Sequence, residues 1–229
     1  MKNKLFIFGC SHSAKFKDSG ITTDYETHLN GWPLSWSEIL SDNLNLELRN
    51  LARGGRSNDS IFDDFCNESD NIKKGDVVII GWSYLNRFRI WSTKYNPTRW
   101  IDVSVADFET IKETTGFSKR TVEEICLSRD NQLYETEIHN REKLILDYLK
   151  LKNVNVFLWN GGSPFENNDN YLLEKFEENL SETFEIWFRK NGGSTITEET
   201  QGKIIDNHLG KHGNILQAEL FYDEILKKI

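Results

Sequence analysis

Ser11 lies in the segment Leu5-Phe6-Ile7-Phe8-Gly9-Cys10-Ser11-His12-Ser13, and its surroundings suit chemistry. Four apolar residues run directly into Gly-Cys-Ser-His-Ser, the pattern of a short buried strand closed by a glycine turn. At the carboxyl end of a first parallel strand, such a turn lifts the next side chain into the crevice where open α/β sheets bind ligands. Ser11 is then a candidate nucleophile; the competing reading is an ordinary polar turn. Two later segments end in a similar way. Asn50-Leu51-Ala52-Arg53-Gly54-Gly55 carries paired glycines, which either let backbone N–H groups approach a ligand or simply connect two elements. Val77-Val78-Ile79-Ile80-Gly81-Trp82-Ser83 is a β-branched run ending in glycine and a small polar residue. In a parallel sheet the three ends meet at one edge.

Other reactive residues carry weaker patterns. His208 and His212 stand four apart and would form a metal pair on a helix, but glycine intervenes and no third ligand is evident. Cys10 has no cysteine-protease signature around it. Gly9 to Lys15 has the outline of a phosphate loop but lacks the second glycine before Lys15. His12 reads as a turn residue.

Placing these residues requires a repeating strand–helix chain. Residues 14 to 31 are polar and read as a loop. Ser35 followed by Glu38 has the form of a capping box, with Trp36, Ile39, Leu40 and Leu44 as the apolar face of the helix it starts. Leu46 to Leu51 reads as the second strand, and Ile61, Phe62, Phe65 and Cys66 mark the next helix. After the third strand, residues 84 to 134 break the rhythm with Arg87, Arg89, Trp91, Arg99 and Trp100, then two short helical stretches. A connection this long is usually functional or an inserted subdomain. It reads equally as a cap and as a contact between copies of the chain. A helix over 136–152 and a fourth strand over 154–159 follow. Leu173, Phe176, Leu180, Phe184 and Trp187 then give a helix closed by Gly192-Gly193. A last helix carries Ile215, Ala218, Tyr222, Ile225 and Ile229 on one face. The order β-α-β-α-β-α-β-α-α implies a parallel sheet covered on both sides.

The length of 229 residues suits one α/β domain, 1–229, with 84–134 as an insertion or cap. A net charge of -8 argues against a general nucleic-acid binder. Three scattered cysteines suggest a reducing compartment. With no signal-peptide core and no segment able to span a membrane, a cytoplasmic location without a membrane partner is expected.

Together the segments resemble the SGNH hydrolases, or GDSL-like lipases and esterases. Gly9-Cys10-Ser11-His12-Ser13 resembles their first block, Gly-Asp-Ser-x-Ser, with Cys10 in place of the aspartate. Asn50 to Gly55 resembles the second block, with Gly55 at its glycine. Gly81-Trp82-Ser83 stands where the third block, Gly-x-Asn-Asp, is expected, with Ser83 in place of asparagine. Asp206-Asn207-His208, before Gly210 and Gly213, resembles the fifth block, with one residue between acid and histidine where two are more common. The resemblance implies a flavodoxin-like three-layer α/β/α sandwich, the SGNH hydrolase fold, with its insertion after the third strand. It implies acyl transfer to water without a cofactor or metal. Ser11 is the nucleophile, His208 the base and Asp206 the residue that orients it. The oxyanion would be held by N–H groups of Ser11 and Gly55, with Ser83 or Asn86 replacing the missing asparagine.

Two functional readings follow. The first is an esterase acting on a small acyl ester, such as an O-acetyl group on a carbohydrate, with Trp82, Asn86 and Arg87 as candidate substrate contacts. The second is a catalytically weak or inactive binding or assembly protein that kept the fold, motivated by the altered third block and the long insertion.

Overall fold

The computed structural model describes residues 2–92, 94, 99–104, 108–128, 131–160, 172 and 192–228. Strand β1 (Lys4–Gly9) is followed by helices α1 (Thr23–Leu29) and α2 (Trp36–Asn43), then β2 (Glu47–Asn50), α3 (Asn58–Glu68) and β3 (Val77–Trp82). The segment after β3 holds β4 (Arg87–Ser92), β5 (Arg99–Ser104), α4 (Phe108–Thr115) and α5 (Lys119–Leu127). Helix α6 (Asn131–Leu151) leads to β6 (Asn155–Asn160). The short α7 (Ile196–Glu199) and the long α8 (Lys211–Lys228) complete the described elements.

Four strands form a parallel sheet in the order β2-β1-β3-β6. The two inner strands are apolar almost throughout: every residue of β3 is buried, as are the last five of β1. Such runs mark strands covered on both faces. Alternation along β1 divides the core into two layers. Leu5 and Ile7 pack with Trp36 and Leu40 of α2 and Phe221 and Ile225 of α8. Phe6 and Phe8 pack on the opposite face with Ile61 and Phe65 of α3 and Ile138, Ile145 and Leu149 of α6. The result is α/β with helices on both sides of one parallel sheet. The chain leaves β1 for β2 by one face and returns to β3 by the other, so the crevice opens at the carboxyl ends of β1 and β3.

The long segment after β3 adds an antiparallel hairpin, β4–β5, with α4 and α5 against it. Phe88, Ile90, Val103, Ile111 and Val122 form a small core of their own. Asp102 of β5 ties the hairpin to the start of α3. Its Oδ1 accepts from the Ser57 N–H (3.0 Å), the Ser57 hydroxyl (2.5 Å) and the Ser60 hydroxyl (2.7 Å). Arg56 Nη1 lies 3.3 Å from Asp102 Oδ2, and Arg89 pairs with Asp63.

Two sequence expectations change. Residues 14 to 31 are not simply a loop, because they contain α1. Its start is capped by the Thr22 hydroxyl, which accepts from the Asp24 N–H, and it ends at Asn30 with φ +58°. The helix was hidden because Tyr25 alone carries its buried face. The last helix begins earlier than expected, at Lys211, so His212 and Gly213 lie inside it. The helix expected from Leu173 to Trp187 falls outside the described residues. Among those described, no helix is long and apolar enough to cross a membrane.

Candidate active site

Ser11 sits in a tight turn at the end of β1, where the N–H groups of Ser13 and Ala14 both donate to the Cys10 carbonyl. Two glycines make room for that turn. Gly9 and Gly81 stand opposite each other in the β1–β3 register. A Cβ on either would lie 2.4 Å from Ser13 Oγ, and one on Gly81 would also meet Trp159 Nε1 at 2.3 Å. The glycine at two strand ends is therefore a steric requirement of the buried Ser13 side chain. Asn50, at the end of β2, fastens the same turn. Its Nδ2 donates to the Ser13 carbonyl (2.9 Å) and to Ser37 Oγ (2.8 Å), and its Oδ1 accepts from the Ala52 N–H (2.9 Å).

The paired glycines after β2 have different reasons to be glycine. A Cβ on Gly54 would lie 2.2 Å from the Ser19 carbonyl oxygen, while Gly55 has φ +75°. Among the described residues the N–H groups of Ser11 and Gly55 donate to no acceptor. Backbone donors left open at a crevice are the raw material of an anion hole.

His208 arrives on a loop strapped to α7. The Ile196 N–H donates to the His208 carbonyl (2.9 Å), the Thr197 N–H to the Asp206 carbonyl (3.1 Å), and the Asp206 N–H to Thr197 Oγ1 (2.7 Å). Asp206 Oδ1 lies 2.6 Å from His208 Nδ1 and accepts the His208 backbone N–H at 2.8 Å. One carboxylate oxygen thus grips both the ring and the backbone of the residue two positions on. Burial opposes ionisation of Asp206, but the two hydrogen bonds and the nearby imidazole outweigh it and hold its carboxyl below the usual range. His208 and Ser11 line one narrow pocket, together with Ala14, Phe16, Leu209 and Asn214.

His12 has a larger place here than its turn position suggested. Its ring centroid lies 5.1 Å from that of His208, at an interplanar angle of 35°. Tyr84 Oη lies 3.4 Å from its Nε2, and its carbonyl accepts from Trp36 Nε1 at 2.8 Å. Burial, followed by the charges of His208 and Arg87, pushes its pKa down to about 3, so the ring is neutral at ordinary pH. Its position directly after Ser11, in a turn aimed at the crevice, was the available signal.

The end of β3 departs from the sequence expectations. Ser83 is fully buried and does not line the pocket. Its N–H donates to Asn58 Oδ1 (2.6 Å) and its carbonyl accepts from Asn58 Nδ2 (3.1 Å). Its hydroxyl accepts from Arg87 Nη1 (3.0 Å). Trp82 was a candidate substrate contact, but its side chain is fully buried with Phe8, Val78 and Ile80, on the α3–α6 face of the sheet. Asn86 is half-buried in the turn before β4. His212 is exposed at the start of α8 near Glu199, and no group of metal-ligating side chains occurs among the described residues.

No protein-family model matches the chain, and no curated protein matches it significantly. Solved structures do show likeness at low identity. A G-D-S-L family lipolytic protein from Desulfitobacterium hafniense DCB-2 has a TM-score of 0.44 and 12% identity, over 97% of this chain and 99% of that one. The protein YXIM of Bacillus subtilis has a TM-score of 0.46 and 15% identity, over 100% of this chain and 57% of that one. The acetyl xylan esterase AlAXEase has a TM-score of 0.37 and 12% identity, over 99% of each chain.

Proposed function

We propose that this chain is a serine ester hydrolase that removes a small acyl group, such as an acetyl ester on a carbohydrate. The observation that carries the proposal is the 2.6 Å contact between Asp206 and His208, made in a pocket that Ser11 also lines. In this reading Ser11 Oγ attacks the ester carbonyl while its proton passes to His208 Nε2. The alcohol leaves with that proton, and water then releases the acid from the acyl-serine by the same relay. Asp206 holds the Nδ1–H tautomer and stabilises the imidazolium. The open N–H groups of Ser11 and Gly55 would receive the oxyanion.

A second reading, a binding protein that kept the fold, is favoured by one observation. Ser83 is buried and engaged by Asn58 and Arg87, so it does not extend into the pocket as a third oxyanion donor. Loss of one donor typically lowers turnover by ~10²–10³-fold, which leaves room for a slow enzyme.

The deciding experiment is labelling with a fluorophosphonate, with the modified residue located by mass spectrometry. An adduct on Ser11 that disappears in His208→Ala supports the hydrolase. Absence of any adduct on folded protein at high probe concentration overturns it and favours the binding protein.

A further inference from the structure

Arg87 is set apart from its neighbours. Arg56 after β2, Arg89 on β4 and Arg141 on α6 each face an aspartate: Asp64 and Asp102, Asp63, and Asp59 respectively. Arg87 faces no carboxylate among the described residues. Its guanidinium carbon lies 4.9 Å from the centre of the Tyr84 ring, and one of its nitrogens donates to Ser83 Oγ. Tyr84 in turn reaches His12, whose ring rests against His208. The cation thus lies half-buried against Tyr84 and Ser83, with Tyr84 and His12 between it and the base of the proposed hydrolase, in a chain of net charge -8. A partly desolvated guanidinium with no carboxylate beside it among the described residues keeps donors to offer, and its planar fork matches a carboxylate.

We propose that Arg87 is a specificity residue that binds an anionic group on the substrate, so that the preferred substrate is an acyl ester of a carboxylate-bearing molecule such as a uronic acid. This inference rests on the ester-hydrolase reading for its reaction but not for its binding. The stack on Tyr84 offsets part of the cost of ordering the arginine side chain.

The test uses a matched pair, the mono-acetylated methyl glycosides of glucuronic acid and of glucose. The ratio of their kcat/KM values is measured in the native protein and in Arg87→Gln and Arg87→Glu. The native protein should favour the glucuronide by roughly 10–100-fold at low salt, with the preference narrowing as salt is raised. Arg87→Gln should collapse the ratio and Arg87→Glu should push it below the glutamine value. A general loss of structure would lower both rates and leave the ratio alone, so an unchanged ratio in Arg87→Gln overturns the inference. So does a native preference for the glucoside. Titration of Ser11→Ala with the acetylated glucuronide separates binding from catalysis. Arg87-dependent binding without hydrolysis in the native protein keeps this inference and removes the hydrolase. Hydrolysis without an anionic preference does the reverse, and neither hydrolysis nor binding removes both.

Discussion

Replacing Glu199 tests how much the junction between α7 and the start of α8 contributes to stability. The Glu199 carboxylate is a hub: Oε2 accepts from the Tyr25 hydroxyl and the Lys211 N–H, each at 2.8 Å. Oε1 accepts from the His212 N–H at 2.8 Å and the Ser194 hydroxyl at 2.6 Å. Three separate contributions are lost in Glu199→Ala. Removing a helix cap costs ~0.5–2 kcal/mol. Removing a negative charge from a helix start costs a further ~0.3–1 kcal/mol. Leaving the buried Tyr25 hydroxyl without its acceptor costs ~1–3 kcal/mol. These share atoms and are not additive, so we expect about 3 kcal/mol in all. For a chain of this length that is a fall in Tm of roughly 6–12 °C. Glu199→Gln keeps the shape and one acceptor but loses the charge, and should fall at about half that cost. Urea unfolding at constant slope is the assay. A Glu199→Ala protein within ~0.5 kcal/mol of the native one would refute the reasoning, because surface substitutions away from structural features fall in that range.

Two further predictions concern acid and the hairpin. His12 has a folded pKa of about 3 against an ordinary 6.5, so the unfolded chain binds its proton first. The stability it contributes is complete above about pH 6.5 and is lost as pH falls toward 3. Urea midpoints should therefore drop between pH 7.5 and 5, and His12→Gln should flatten that dependence; a midpoint equally pH-sensitive in the variant would exclude His12 as the cause. Asp102→Ala should free the hairpin from α3, raising amide exchange in β5 and at Ser57 and costing about 2 kcal/mol, since three donors lose a charged acceptor. Unchanged exchange at Ser57 would show that the hairpin is held by other contacts.

Much of the architecture was legible because the inner strands leave little choice. Val77 to Ile80 and Leu5 to Phe8 are apolar and β-rich enough that only a doubly covered strand suits them. The contact of Asp206 with His208 was anticipated, but not its form: one oxygen serves both ring and backbone, which a spacing of two permits and a sequence does not specify. What stayed hidden depended on reach across the fold. Trp82 sits beside a glycine-bearing strand end, but the pleat turns it into the core. Ser83 is occupied by Asn58 and Arg87, twenty-five and four positions away. Helix α1 escaped notice because its one buried side chain, Tyr25, gives no periodicity to detect. His12 looked like turn filler because its place beside Ser11 puts it near the crevice without showing that its ring will meet that of His208.

The pocket also has an order of assembly. Part of its lining comes with Ser11 and another part with His208, almost the whole chain later. At ribosomal rates of about 5–20 residues per second, roughly 10–40 s separates the synthesis of the two parts. During that interval β1 can pair with β2 and β3, and the Ser11 turn can close on Gly9 and Gly81, with no imidazole from His208 yet made. The nascent chain therefore carries a serine without its neighbouring base until α7 and the start of α8 have left the ribosome. A translation product halted before α7 would hold most of the parallel sheet and none of the reactivity proposed for Ser11.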